Sequence, residues 1–411
     1  MSIRQRLYPE SGQVAGLVEH CHHARFVFNI GLEQRSMWRR DKHLRGPLSV
    51  PRVNAASQMR ELAQLRAGTD WLRAGSSSVQ QAALRDLDRA FMNFFAGRAK
   101  YPRFKRRSDR EGSFVVRDLS VRRLNRKWGE VAVPKIGRVR FRISREWAQI
   151  TCASSARVTH KNGRWHVAFT IPAPARFEPG TGPAVGIDRG VANTLALSDG
   201  HMLQAPSLTK FEQARFLRLQ QRLARQQKDS QRRGKTLEAL VVLRGRLENR
   251  RADWVEQTTT ALACTHSVVA VEDLRIRNMV RRPKPKPAPG NPGVFLPNGA
   301  RAKAGLNRAI LASVWGRFLI RLEHKMPEGT LLRVDPRNTS LTCAVCGHCA
   351  HGNRESQAVF QCQSCEYTAH ADTNAALVIL DRALNTTTAA GHAVPGRARP
   401  VTAGNANQLA A

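Results

Sequence analysis

Three acidic residues stand where apolar stretches of this chain end. Asp188 follows "AVGI", Glu272 follows "VVAV", and Asp372 opens "DTNAALVILDRAL". A strand covered on both faces does not finish on a charge unless something uses that charge. Carboxylates at the ends of adjacent strands and at the start of a facing helix can converge on one spot. Left alone, three anions there would repel one another and take up protons. Around two Mg2+ ions about 4 Å apart they become a clamp that orients water and steadies the leaving oxygen of an in-line phosphodiester displacement. Each acid also has a plainer role. Asp372 can cap its helix, Asp188 can cap the turn at Gly190, and Glu272 can pair with an arginine.

A second constellation lies just upstream of Asp372. Cys343-x2-Cys346, fifteen residues, then Cys362-x2-Cys365 has the spacing of a four-thiolate zinc ribbon. Two tight knuckles, the first followed by Gly347, let four sulfurs surround one ion at about 2.3 Å. With every position filled by protein, such a site holds shape and does no chemistry. A ribbon has little apolar core, so metal binding of order 10 kcal/mol supplies its folding energy. Cys349 is a spare thiol beside it, and Cys21, Cys152 and Cys264 read as small buried hydrophobes.

These groups need a scaffold and a partner. At 411 residues the chain exceeds one compact core. With 67 Lys and Arg against 31 acids the formal charge is +36, and a polyanion is the partner that balances it. A ribosomal or chromatin-type protein without chemistry would show the same charge. No apolar run suits a membrane span or a signal peptide, so a soluble, cytoplasmic protein is expected, with no membrane partner. Reduced thiols in that compartment argue for metal over disulfides.

The elements follow from periodicity. After a short strand at 3–7, Val14, Leu17, Val18, Cys21, Ala24 and Phe28 share one helical face. A second amphipathic helix carries Leu84, Leu87, Phe91, Phe94 and Phe95. "GRAKYPRFKRR" then interleaves six basic residues with Tyr101 and Phe104, a mixture suited to backbone contact and base stacking, or else a solvated charge run. From 113 to 171 the segments are β-like, with a hairpin turning at Asn162-Gly163. Beyond Pro183 the pattern becomes α/β. Two Arg-rich helices are expected at 208–229 and 235–263, separated near Gly234, and another near 305–324. The Pro-rich 275–293 reads as a loop over a site or a plain linker.

Taken together, "RLYPESGQ", "ARFVFNIGLE", "QQAALRDLDRAFMNFFAG", "YPRFK", "GIDRGVANTLALS", "VVAVEDL", "NTSLTCAVCGHC" and "HADTNAA" resemble the TnpB family of bacterial insertion sequences, relatives of compact type V CRISPR effectors. The likeness runs from Arg6 to about Leu384. It implies a multi-domain α/β plus β-barrel architecture. A wedge-like β-barrel (1–12 and 108–180) would hold an inserted helical recognition domain (13–107). An RNase H-like RuvC core (181–340 and 369–385) would hold the zinc ribbon (341–368), while the tail 386–411, rich in Ala, Gly and Thr with little patterning, reads by composition as disordered. The resemblance further implies Asp188, Glu272 and Asp372 as the Mg2+-binding catalytic triad and one structural Zn2+ on Cys343, Cys346, Cys362 and Cys365. Guide RNA and double-stranded target DNA with a short adjacent motif are the implied partners, bound by a monomer with one RNA, and both strands are cut. Gln80, Gln81, Tyr101, Arg103, Phe104 and Lys105 are the candidate nucleic-acid contacts. A guided binder that no longer cuts, a CRISPR-associated effector of the same chemistry, and a guide-independent DNA-binding protein are the other readings.

Overall fold

The computed structural model describes residues 2–45, 53–106, 112–172, 180–290 and 293–389, with the backbone alone over 38–45 and 387–389. The chain falls into two compact units, Met1–Pro174 with Arg222–Val242, and Ala175–Gln221 with Leu243–Ala411.

In the first unit, β1 (Ser2–Tyr8) precedes four helices, α1 (Ser11–Arg45), α2 (Ala55–Ala67), α3 (Asp70–Ala74) and α4 (Ser77–Phe95). The remaining strands follow: β2 (Gly112–Val116), β3 (Val121–Arg123), β4 (Trp128–Val133), β5 (Gly137–Arg142), then a short α5 (Trp147–Thr151), β6 (Ser155–Lys161) and β7 (Arg164–Thr170). They form one seven-stranded sheet in the order β2-β6-β7-β1-β5-β4-β3. The first strand therefore sits in the middle, paired antiparallel to β7 and to β5. The β6–β7 hairpin turns at Asn162 and Gly163, whose φ values of 54° and 71° suit an Asn-Gly pair. Leu17, Phe28 and Leu32 of α1, Leu84, Leu87 and Phe91 of α4, and Phe114, Phe141, Val167 and Phe169 of the sheet share one apolar core. The expected stripe on α4 stops at Phe91, because Phe95 at the helix end is 78 % exposed.

The second unit begins with β8 (Val185–Asp188), β9 (Leu195–Leu197) and β10 (Met202–Leu203). The chain next runs through α6 (Lys210–Arg225) and α7 (Gln231–Thr265) to β11 (Val269–Glu272), α8 (Ile276–Met279) and the two-residue strands β12 (Lys286–Pro287) and β13 (Phe295–Leu296). It ends with α9 (Ala300–Ala312), α10 (Trp315–Lys325), β14 (Leu331–Val334), β15 (Val359–Gln361), β16 (Thr368–His370) and α11 (Ala371–Ala389). The central sheet has the order β10-β9-β8-β11-β14, with β8, β11 and β14 parallel. One face buries Val185, Ile187, Val269 and Val271 with Val255 and Leu262 of α7 and Phe318 and Leu322 of α10. The other buries Ala270 and Val334 with Ile379 and Ala383 of α11. Both faces are covered, which explains strands that are apolar throughout.

Several expectations need correction. The break between the Arg-rich helices lies at Asp229, φ 66°, and Gly234 is inside α7, because the Ser230 carbonyl and hydroxyl already accept the first amides of that helix. The single helix near 305–324 is two, interrupted at Val314, φ 53°. Cys152 and Cys264 are exposed rather than buried. Helix α11 continues through the first four residues of the segment 386–411, whose remainder lies outside the described residues. No described helix is long and apolar enough to cross a membrane.

Candidate active site and metal centre

Parallel register places Ile187 opposite Val271, so the next residues, Asp188 and Glu272, end adjacent strands side by side. Asp372 stands in the first turn of α11, the helix that lies on this sheet face. Gly186 permits that approach. A Cβ there would collide with the Ala376 carbonyl and with Leu380. Glu272 and Asp372 are each 6 % exposed. Burial first, then the charges of Glu272 and Asp372, push the Asp188 carboxyl up to about 7. Burial also raises Glu272, against the hydrogen bond it accepts from Thr339. The donor set is all oxygen and anionic, which suits a hard divalent cation.

Glu272 and Asp372 have protein partners that their spacing did not reveal. Thr339 Oγ1 donates to Glu272 Oε1 at 2.6 Å, and the Arg189 guanidinium donates to the Glu272 carbonyl. Asn193 Nδ2 donates to Asp372 Oδ2 at 3.0 Å, and Arg354 Nη2 to Oδ1 at 3.3 Å. The carboxylates of Glu272 and Asp372 are thus held by separate donors. The group whose ligand atoms all lie within 4.8 Å of one another is, among the described residues, the cysteine quartet.

That quartet is Cys343, Cys346, Cys362 and Cys365. Sulfur separations of 3.7 Å (Cys343 to Cys365) and 3.5 Å (Cys346 to Cys362) approach the edge of about 3.8 Å that a tetrahedron with Zn–S bonds requires. The Val345 and Ser364 amides each donate to a cysteine sulfur at 3.4 Å, which stabilises thiolate charge in both knuckles. The cluster fits Zn2+. Its core beyond the cysteines is Phe360 and Ala371, with Tyr367 against them.

The ribbon is bound to the acid helix at several points. Strand β16 runs directly into α11, and the Ala371 amide donates to the Ala358 carbonyl at 2.9 Å. Asn374, fully buried, accepts from the Ala344 amide and donates to the Thr342 carbonyl, holding the first knuckle. Arg354 reaches Asp372 from the stretch between the two cysteine pairs. The segment that carries the cysteine pairs thus packs against the start of the helix that carries Asp372.

The candidate nucleic-acid contacts divide. Gln80 is wholly buried, its amide donating to Leu72 and accepting from Arg66. Tyr101 packs edge-on against Phe91 and Phe94 and shares a hydrogen bond with Ser36. Lys105 has its ammonium 3.9 Å from the Phe28 ring centroid, and its backbone pairs twice with Asn29. Gln81 is half-buried, whereas Arg103 and Phe104 face outward.

Comparison with known proteins matches three family models: the OrfB_IS605 model described as "Probable transposase" over 166–282, a "Helix-turn-helix domain" model over 1–43, and the "Cas12f1-like, TNB domain" model over 315–379. Residues 2–43 here are a strand and one continuous helix. An Escherichia coli (strain K12) protein named "Putative RNA-guided DNA endonuclease InsQ" is 33% identical over 399 residues, covering 96% of this chain and 92% of its own. A Streptomyces pristinaespiralis protein named "Putative RNA-guided DNA endonuclease" is 27% identical, covering 84% and 80%. A solved Cas12f1–sgRNA–target DNA complex aligns over 93% of this chain and 98% of that one at 15% identity and a TM-score of 0.28, too loose to carry residues across. The chain belongs to the TnpB family, the OrfB proteins of IS605 type.

Proposed function

We propose that this protein is an RNA-guided DNA endonuclease that hydrolyses phosphodiesters of both target strands at the carboxylates of Asp188, Glu272 and Asp372, guided by one RNA bound to a single copy of the chain. The observation that carries the reading is the pairing of two acids at the ends of β8 and β11 beneath the start of α11, with Asp188 driven toward neutrality first by burial and then by the charges of the other two. Relatives named as endonucleases of this kind across most of the chain support it. In this reading the parallel sheet with α11 is the RuvC-like core, the quartet holds structural Zn2+, and the seven-stranded sheet with its helices is the wedge and recognition region. Two Mg2+ ions would supply activation of water and neutralisation of the leaving oxygen. The chain's own residues hold Glu272 through Thr339 and Asp372 through Asn193 and Arg354. The excess of basic residues would neutralise phosphates along the nucleic acids, so affinity falls steeply with salt.

The test is purification with flanking DNA expressed in the same cells, sequencing of the copurified RNA, and plasmid cleavage with Mg2+. Asp188→Ala is expected to lose at least about a thousandfold in cleavage, ~4 kcal/mol of transition-state stabilisation, while retaining RNA. Cleavage that persists in Asp188→Ala removes the catalytic assignment, and cleavage without RNA removes the guided one.

A further inference from the structure

Thr339 belongs to "NTSLTCAVCGHC", and neither the triad nor the cysteine cluster accounts for it. Its side chain is 3 % exposed, and its hydroxyl proton has two acceptors in reach, Glu272 Oε1 at 2.6 Å and the Pro336 carbonyl at 3.1 Å. The shorter contact is to the carboxylate, the stronger acceptor. One oxygen of Glu272 is therefore fixed, while no hydrogen bond from the described residues reaches Oε2. A free glutamate side chain would lose rotamer freedom on gripping a cation, and a prior anchor removes that cost. Thr339 is itself well placed as an anchor. It is β-branched with few rotamers, and the amides of Leu341 and Thr342 both close onto the Asn338 carbonyl at 3.1 Å. The Thr342 carbonyl is in turn held by buried Asn374 of α11.

We propose that Thr339 is a positioning residue, whose hydroxyl holds the Glu272 carboxylate so that its second oxygen is presented to a divalent cation. This rests on the reading of the triad as a cation site. The experiment titrates Mn2+ into the full-length chain and follows the free ion by electron paramagnetic resonance, beside the Mg2+ dependence of plasmid cleavage. Thr339→Val, nearly isosteric, is expected to weaken Mn2+ binding at the site about tenfold or more. It raises the Mg2+ needed for half-maximal cleavage by the same factor, with the rate at saturating Mg2+ and the affinity for RNA little changed. Thr339→Ser, which keeps the hydroxyl and loses the methyl, restores the affinity. Wild-type Mn2+ affinity in Thr339→Val overturns the proposal, and so does a Thr339→Ser variant that binds as weakly as Thr339→Val, since shape rather than the hydroxyl would then matter. Asp188→Ala with unaltered Mn2+ affinity would instead overturn the triad reading itself, whatever Thr339 does.

Discussion

In the first unit the buried histidines His20 and His23 and the half-buried His160 and His166 are all held toward the neutral form by burial, and buried Cys21 is pushed up to about 12. The first unit's buried Glu130 is paired with Arg122 at 2.8 Å, whereas the second unit gathers much of its buried charge in one place. Asp188, Glu272, Asp372 and Arg189 crowd one sheet edge, and buried Lys325 pairs with Glu256 at 3.0 Å. A fold selected for stability alone neutralises or pairs what it buries, as the first unit does with its histidines and with Glu130. Charge concentrated in one place, against its desolvation cost, marks where chemistry or a ligand is expected.

The sharpest way to separate the two units is to remove the metal clip. With the quartet emptied by a chelator or broken by Cys362→Ser, the ribbon loses a binding energy of order 10 kcal/mol, which its small core cannot replace. Limited proteolysis should then cut first between Thr339 and His370, with hydrogen exchange in the seven-stranded sheet unchanged. Protection that persists in the ribbon without metal would show that packing alone folds it.

Acid distinguishes the units by sign. His166 has its ordinary value near 6.5 lowered to about 4, chiefly by burial, so its contribution is present above 6.5 and is lost as pH falls through that window. Asp188 runs the other way: raised from 3.8 to about 7, it stabilises the cation-free fold at low pH and that stabilisation is lost as pH rises from about 4 to 7. Between pH 6.5 and 4, in chelator-treated but zinc-loaded protein, hydrogen exchange should speed up in β7 and slow at the end of β8. The His166→Asn and Asp188→Asn variants should each abolish one half of that contrast. Equal response in both units would refute it.

What sequence reasoning reached, and what it did not, divides along the same physical line. The cysteine spacing, the Asn162-Gly163 turn and the acids at the strand ends are local signals, each carried by a few adjacent residues. Thr339, Asn193, Arg354 and Asn374 act only through tertiary approach, and a lone Thr, Asn or Arg in a loop has no period or spacing to mark it. Gly186 was equally silent, since "AVGI" reads as a covered strand whether or not a helix rests on its glycine. Gly186→Ala tests that contact. Overpacking of about 1–3 kcal/mol should lower the melting temperature of the second unit and weaken Mn2+ binding by shifting the first turn of α11, with the first unit unaffected. A fully tolerated alanine would mean that the helix stands further off the sheet than described.

The smallest expected effect lies where charge and rings meet in "YPRFK". Tyr101 is tied into the first unit's aromatic packing and hydrogen-bonded to Ser36, whereas Phe104 is 54 % exposed two residues after a proline. An exposed ring contributes little to folding, so Phe104→Ala should leave stability within about 0.5 kcal/mol of the parent. If the outward face of this segment receives nucleic acid, the same change weakens binding by about 1 kcal/mol through lost base stacking. Tyr101→Ala should do the reverse, lowering the melting temperature and affecting binding only through the fold. Fluorescence anisotropy with a short single-stranded RNA, run beside thermal unfolding, reads both quantities. Were Phe104→Ala to bind normally while Tyr101→Ala bound poorly at full stability, the inward and outward assignments of these two rings would have to be exchanged.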